Sequence, residues 1–169
     1  MLRERGLLDQ YRRLVDPSLR DQLQAVVAAT WVPVRLIVAH YMACDQLGFT
    51  VSELIELGRG LTSRLHQPVL RVAIGLAGAA GLTPWALVPQ LSKIWERLHR
   101  GGAVRSTQLG PKEARVEIQG FQCASIPYCR IAWRGVLLGG AELLASRAYV
   151  NEIPAGCDST TLAYRVSWV

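Results

Sequence analysis

The 169-residue chain has no C-x-x-C pair, no H-E-x-x-H, no G-x-S-x-G and no phosphate-binding glycine loop. That removes the spacings by which zinc ribbons, zincins, nucleophile-elbow hydrolases and P-loop enzymes are recognised. Cysteine is sparse: Cys44, Cys123, Cys129 and Cys157 are even in number but widely spaced, and in a reducing compartment they are expected as thiols. Low-complexity blocks and fixed-period repeats are missing, which excludes a linker-like or solenoid chain. A basic stripe is missing too. The net charge of +6 divides into +4 over residues 1–100 and +2 over residues 101–169, and the densest cluster, Arg3, Arg5, Arg12 and Arg13, is interrupted by Glu4 and Asp9. Phosphate neutralisation needs clustered cations, so no nucleic-acid partner is expected. The opening MLRERGLLDQYRR places charges where a signal peptide needs an apolar core, and the expected location is cytoplasmic.

What is present is a chain of 50% hydrophobic residues, enough for one domain spanning residues 1–169, with a helical part to residue 102 and a second part from residue 103. Val72 to Ser92 carries no charge, approaching the length of a membrane span, but Gly75, Gly78, Gly81 and Thr83-Pro84 divide it, so two buried helices and no membrane span are expected. Apolar spacing predicts helices over residues 2–15, from Pro17 to Thr30 and from Val34 to Leu47, with Pro33 and Gly48 as punctuation. Thr50-Val51-Ser52-Glu53 has capping-box spacing and predicts a helix from Val51 to about Leu65. Pro68 opens another, and Thr83-Pro84 one more that ends at Gly101-Gly102.

Beyond Gly102 the period changes to two. Val104–Leu109 and Ala114–Gln119 predict a hairpin turning at Gly110-Pro111, and Ala148–Ile153 with Thr161–Val169 a second pair, the last strand presenting Leu162, Tyr164, Val166 and Trp168 on one face. Between them Ser125–Ser146 predicts a helix with Ser125 as N-cap and Pro127 in its first turn. Gly135, Gly139 and Gly140 lie inside it. Each glycine costs about 1 kcal/mol against alanine in a helix interior, so close packing of this helix on a sheet is expected. The predicted class is α+β: an N-terminal helical bundle packed on an antiparallel four-stranded sheet in strand-strand-helix-strand-strand order.

That order after a helical bundle resembles the fold shared by 4-vinyl reductase domains, TRAPP vesicle-tethering subunits and haem nitric-oxide-binding domains. Trp31-Val32-Pro33, Leu57-Gly58-Arg59, Leu82-Thr83-Pro84, Trp95 with Gly101-Gly102, Gly135 and Val166-Ser167-Trp168 resemble an uncharacterised myxobacterial family. The resemblance implies a module that holds a small hydrophobic molecule or a protein partner, including a second copy of itself. Sensor relatives of the 4-vinyl reductase type use cysteines for zinc. Cys129 and Cys157 resemble two such positions, but Leu162 and Ala163 stand where a further cysteine is expected, so zinc is disfavoured. His40 occupies a helix as a haem ligand would, yet the Tyr-x-Ser-x-Arg motif of haem-binding relatives is absent, so haem is disfavoured as well. His66 and His99 stand near predicted helix C-termini.

For catalysis the inventory is thin. Asp158-Ser159-Thr160-Thr161 reads as a turn, and Glu117, Glu142 and Glu152 fall where solvated charges are expected. Aromatics are the best sign of a ligand: Trp31, Tyr41, Trp95, Phe121, Tyr128, Trp133 and Trp168 can converge between the helices and the sheet. Cys129, at a helix start whose dipole would lower its pKa, is expected at the border of the same cavity and more reactive than Cys44. The leading expectation is a non-catalytic binding or sensing domain with Trp31, Tyr41, Trp95, Phe121, Tyr128, Cys129 and Trp133 at the ligand. The alternatives are an interaction or dimerisation module and an enzyme of a secondary metabolic pathway.

Overall fold

A computed structural model describes residues 2–26, 30–64 and 82–169. Gly6, at φ +68°, confines residues 2–6 to turns, so α1 runs only over Leu8–Leu14. Helix α2 (Pro17–Gln24) starts as predicted, with the Asp16 carboxylate accepting the Ser18 N–H at 2.8 Å and Pro17 in the first turn. It stops well before Thr30. No residue of α2 is fully buried, and a helix without packing gains little from further turns. Helix α3 (Val34–Asp45) begins after Pro33 and gives way to Gly48 at φ +72°. Before α4 (Val51–Arg64) the predicted capping box forms: the Glu53 carboxylate accepts the Thr50 N–H at 2.8 Å, and Thr50 Oγ1 accepts the Glu53 N–H at 3.3 Å.

The helix predicted from Pro68 lies outside the described residues. The one predicted from Thr83-Pro84 is replaced by two 3-10 turns, Pro84–Ala86 and Val88–Gln90, before α5 (Leu91–Leu98). Pro89 explains this, since it has no N–H for an i−4 bond and its ring clashes with the preceding turn. No described helix is long and apolar enough to cross a membrane.

Strands β1 (Ala103–Gly110), β2 (Glu113–Gln119), β3 (Ala148–Glu152) and β4 (Leu162–Trp168) form one antiparallel sheet in the spatial order β1-β2-β4-β3. The pairs Ala114↔Val166, Val116↔Tyr164 and Ile118↔Leu162 set the register. A period of two then puts these six and Trp168 on one buried face. The molecule is thus α+β with a four-stranded antiparallel sheet.

Helix α6 (Pro127–Ala141) follows β2 in sequence and lies on that face. Tyr164, fully buried in β4, donates its hydroxyl to the Arg130 carbonyl at 2.7 Å, Arg134 donates to the Val150 carbonyl at 3.3 Å, and Arg130 pairs with Glu152 of β3. Two expectations about this helix are corrected. Ser125 does not cap it; the N-cap residue is Ile126, with no side-chain bond, and the Tyr128 N–H is met instead by the Asp45 carboxylate at 2.7 Å, from the end of α3. Gly135 does not face the sheet. A Cβ there would overlap the Ile55 carbonyl oxygen and crowd the Arg59 nitrogen at 2.8 Å, while a Cβ at Gly58 would overlap the Ala132 carbonyl oxygen and stand 2.9 Å from the Val136 nitrogen. The glycines of α4 and α6 thus let two helix backbones touch. The helical layer containing α4 rests on α6, and α6 rests on the sheet.

Because Asp45 replaces a local cap, Asp45→Ala is expected to cost about 1 kcal/mol. A urea denaturation midpoint, compared with that of Ser125→Ala, measures it; Ser125→Ala should be close to neutral.

Candidate functional site

The sheet's inner face, α5 and α6 do not close completely, and a cavity of about 220 Å³ remains between them. Val104, Val116, Ile118 and Val166 form its floor, α5 contributes Leu91, Ile94, Trp95 and Leu98, and Trp133, Val136, Leu137 and Gly140 contribute the α6 wall. This composition follows from the fold. The inward positions of paired strands are apolar, and α5 must turn an apolar stripe towards them.

Polar side-chain atoms on the lining are few. Trp95 donates its indole N–H to the Gly101 carbonyl at 3.0 Å. His99 stands just past the end of α5. Its ring stacks on Trp95 with centroids 3.7 Å apart and 9° between planes, it lines the cavity, and its Nδ1 is buried with no partner. The neighbouring Trp95 carbonyl already accepts the His99 backbone N–H at 2.7 Å and makes no well-formed bond to Nδ1. Burial holds the His99 pKa below the ordinary histidine value, against a smaller opposing pull from that carbonyl, so the ring is neutral near pH 7. In the sequence His99 stands out only as a helix-end residue. The signal that could have found it is its place one residue past an apolar helix stripe and four after Trp95.

Of the seven residues expected at the ligand, Trp95 and Trp133 line the cavity. Phe121 packs edge-on against both, at 5.5 and 6.0 Å, one layer behind. Trp31 is 53% exposed beneath the Arg100 guanidinium at 4.5 Å. Tyr41 and Tyr128, with ring centroids 5.7 Å apart, and Cys129 are not on the lining. Both tyrosines belong to a second cluster between α3 and α6. Cys129 is 2% exposed, and the neighbouring Cys123 sulfur together with burial raises its pKa, opposite to the expected dipole effect. A thiol dissociates less readily in an apolar, water-free setting.

In the second cluster the Tyr11 hydroxyl lies 2.8 Å from His40 Nδ1, and the Cys44 sulfur is 3.8 Å from His40 Nε2. Burial pushes the Cys44 thiol up to about 12 and the His40 imidazole down, so both are neutral and no thiolate–imidazolium nucleophile forms. Among the described residues no three His, Cys, Asp or Glu side chains are placed to hold a metal. Glu117, Glu142 and Glu152 pair with Arg115, Arg59 and Arg130, as surface charges do. Asp158 accepts the Thr160 N–H at 2.7 Å within its turn.

The two depressed histidines make a pH dependence. A group whose folded pKa is below its unfolded value leaves the unfolded chain holding more protons in the window between them. Stability should therefore be full above about pH 6.5 and fall as pH drops towards the folded values of His40 and His99. Exposed Asp16, Glu53 and Asp158, held low by hydrogen bonds, act only in the more acidic carboxylate range. Urea midpoints at about pH 7.5 and about pH 5.5 isolate the histidines, and His40→Gln with His99→Gln should flatten the difference.

No family model matches the sequence, and no curated protein matches it. Solved structures do. A point mutant of the T. tengcongensis H-NOX protein superposes with a TM-score of 0.55 at 12% identity, covering 93% of this chain and 87% of that one. An Fe(II) unliganded mutant of the H-NOX protein from K. algicida gives 0.56 at 9% identity, over 96% and 94%. The IWP-051-bound H-NOX from Shewanella woodyi, in the Fe(II)CO ligation state, gives 0.52 at 15% identity, over 97% and 91%. With so little identity, what is shared is architecture: the chain has the fold of the H-NOX, haem-nitric-oxide-binding, domains.

Proposed function

We propose that this chain is a non-catalytic binding or sensing domain for a small hydrophobic molecule held between α5, α6 and the sheet. The observation that carries this is the apolar cavity of about 220 Å³. An apolar cavity of roughly 150 Å³ stays dry and admits benzene, and pockets for drug-sized ligands start at roughly 300 Å³. The occupant is accordingly one or two rings, or an equivalent aliphatic body. Trp95 and Trp133 are the aromatic contacts, with Phe121 buttressing them.

Haem, which the fold suggests, does not suit this lining. Haem carries two carboxylates, and among the described residues on the cavity none is a cation. The cavity is also smaller than a drug-sized pocket, and the sequence has no Tyr-x-Ser-x-Arg motif. Catalysis has no support either, since Cys44 and His40 are both neutral and off the cavity. Kinship with the myxobacterial family is supported by sequence positions alone, among them Leu57-Gly58-Arg59 and Val166-Ser167-Trp168, and kinship with 4-vinyl reductase domains by the order of elements after the helices and the positions of Cys129 and Cys157.

A second reading, a dimerisation or partner-binding module, is favoured by β1, an edge strand whose residues are mostly exposed. Native mass spectrometry of protein from a heterologous host separates the two: a monomer carrying a retained apolar molecule supports the first, an empty dimer the second. Calorimetry with naphthalene tests the cavity directly. A Cβ at Gly140 meets nothing within 4 Å, so Gly140→Leu should fill the cavity and abolish naphthalene binding while circular dichroism is unchanged. Naphthalene binding that persists in Gly140→Leu would place the ligand elsewhere.

A further inference from the structure

We infer that the pocket at the corner between α1 and α2 is a second binding site, and that it takes a small amphipathic oxyanion: a carboxylate or phosphate joined to a short apolar body. It shares no described lining residue with the apolar cavity, and the inference does not depend on that cavity being a ligand site.

The pocket measures about 330 Å³, within the range of small-molecule sites. It exists because α1 and α2 meet only at a corner. Asp16 and Pro17 restart the chain there, and neither helix has a fully buried residue of its own to draw the two together. Leu8, Val15 and Leu23 bring apolar groups to the wall, and polar atoms make up much of the remainder.

The charge on that wall is of one sign. Arg3, Arg12 and Arg20 line it, and among the described lining residues there is no Asp or Glu. None of the three guanidinium groups is fully engaged. Among the described residues Arg3 has no ion pair and no side-chain hydrogen bond. Arg12 meets only Asp9, at 3.5 Å and on the open surface, where such pairs contribute little. Arg20 donates Nε to the Val15 carbonyl at 3.1 Å. Val15 itself lines the pocket, so this bond fixes the guanidinium at the corner and leaves its terminal N–H groups for a ligand. Asp16 acts on Arg20 through space, but its carboxylate is taken up by the Ser18 N–H and hydroxyl, both at 2.8 Å.

The ligand's chemistry follows from this wall. Three like charges around one concavity repel one another; an anion among them relieves the repulsion and a cation adds to it. A guanidinium presents parallel N–H donors that match two oxygens of a carboxylate or phosphate, and the charge makes those bonds stronger than any made to a neutral amide, amine or hydroxyl. The apolar residues set the rest. An inorganic ion would leave Leu8, Val15 and Leu23 wet, whereas an alkyl or aryl body buries them.

The test uses the full chain and calorimetry at neutral pH with octanoate, octyl phosphate, octanol and acetate. Naphthalene is present throughout, so that octanol does not enter the apolar cavity. At least one octyl anion should bind about tenfold more tightly than octanol, and acetate should not bind measurably. Raising NaCl from about 50 to about 500 mM should weaken the anion several-fold, because the arginines are open to screening. Arg3→Gln and Arg20→Gln should each lower its affinity about threefold or more. Arg13→Gln removes the same charge from α1 but lies off the lining, and should leave binding unchanged. Arg3 stands in a turn before α1, so its variant decides the matter if Arg20→Gln, which also loses the Val15 bond, fails to fold. Whichever octyl anion binds the more tightly names the head group. Binding of neither, octanol binding as tightly as both, or Arg13→Gln costing as much as Arg3→Gln overturns the site. Acetate binding as tightly as octanoate overturns the apolar half of the inference. None of these outcomes bears on the cavity between α5, α6 and the sheet, which stands or falls with naphthalene.

Discussion

Alanine at position 135 is expected to destabilise the fold by about 3 kcal/mol or more, although it is a better helix former than the glycine it replaces. Overpacking a tight site costs roughly 1–3 kcal/mol, and the upper end or beyond applies when the obstacle is backbone with no rotamer to yield. Here the new methyl would meet the Ile55 carbonyl and the Arg59 nitrogen, both main-chain atoms of α4. Helix propensity returns only about 1 kcal/mol. Gly58→Ala, which would strike α6 at Ala132 and Val136, should behave alike. The pair should be less than additive, because once one methyl has pushed α4 and α6 apart the second finds room. Against a stability of roughly 5–15 kcal/mol each single change is a large fraction. Urea midpoints at unchanged m-value measure the loss. A cost below about 0.5 kcal/mol at either site would mean that the two backbones do not touch.

Replacing Trp95 by alanine should remove about 3–5 kcal/mol, the range for deleting a large aromatic from a core. Trp95 is 4% exposed, stacks on His99 at 3.7 Å, and meets Phe121 and Trp133 at 5.5 and 5.9 Å. It is both a core residue and the cavity wall, so the deletion should enlarge the cavity as well as weaken the fold. Naphthalene affinity should fall and a larger aromatic probe should gain relative to it. Trp95→Phe keeps most of the ring and gives up the bond to the Gly101 carbonyl, which is exposed and can turn to water; it should cost well under half as much as alanine. Denaturation with parallel calorimetry reads both effects. A stable Trp95→Ala protein with unaltered probe preference would show that Trp95 does not bound the cavity.

Much of the local structure is legible in the chain. The capping box at Thr50–Glu53, the stops at Pro33 and Gly48, and the alternation of Ala114, Val116 and Ile118 each act within a few residues. Local signals mislead where a nearby competitor or a distant group intervenes. Pro89 breaks the helix expected from Pro84. Ser125 has the chemistry of a cap, but Asp45, 83 residues away from Tyr128 in sequence, holds the helix start instead. The aromatic residues are alike in being large and apolar, yet Trp31 goes to the surface and Tyr41 to the α3–α6 seam.

What the amino-acid sequence determined by itself is therefore the α+β class and most element boundaries, since caps, prolines, glycines and side-chain period are short-range causes. What only the tertiary structure decided is which faces meet. Gly135 answers α4 and not the sheet, Cys129 is sealed beside Cys123 rather than opened to a cavity, and His99 ends with an unpartnered nitrogen on an apolar wall. The physical reason is that a side chain's chemistry is set by burial and by neighbours that are distant in sequence. A histidine one residue past a helix is the same letter whether solvent or an apolar wall surrounds it, and only the packing of α5, α6 and the sheet distinguishes the two.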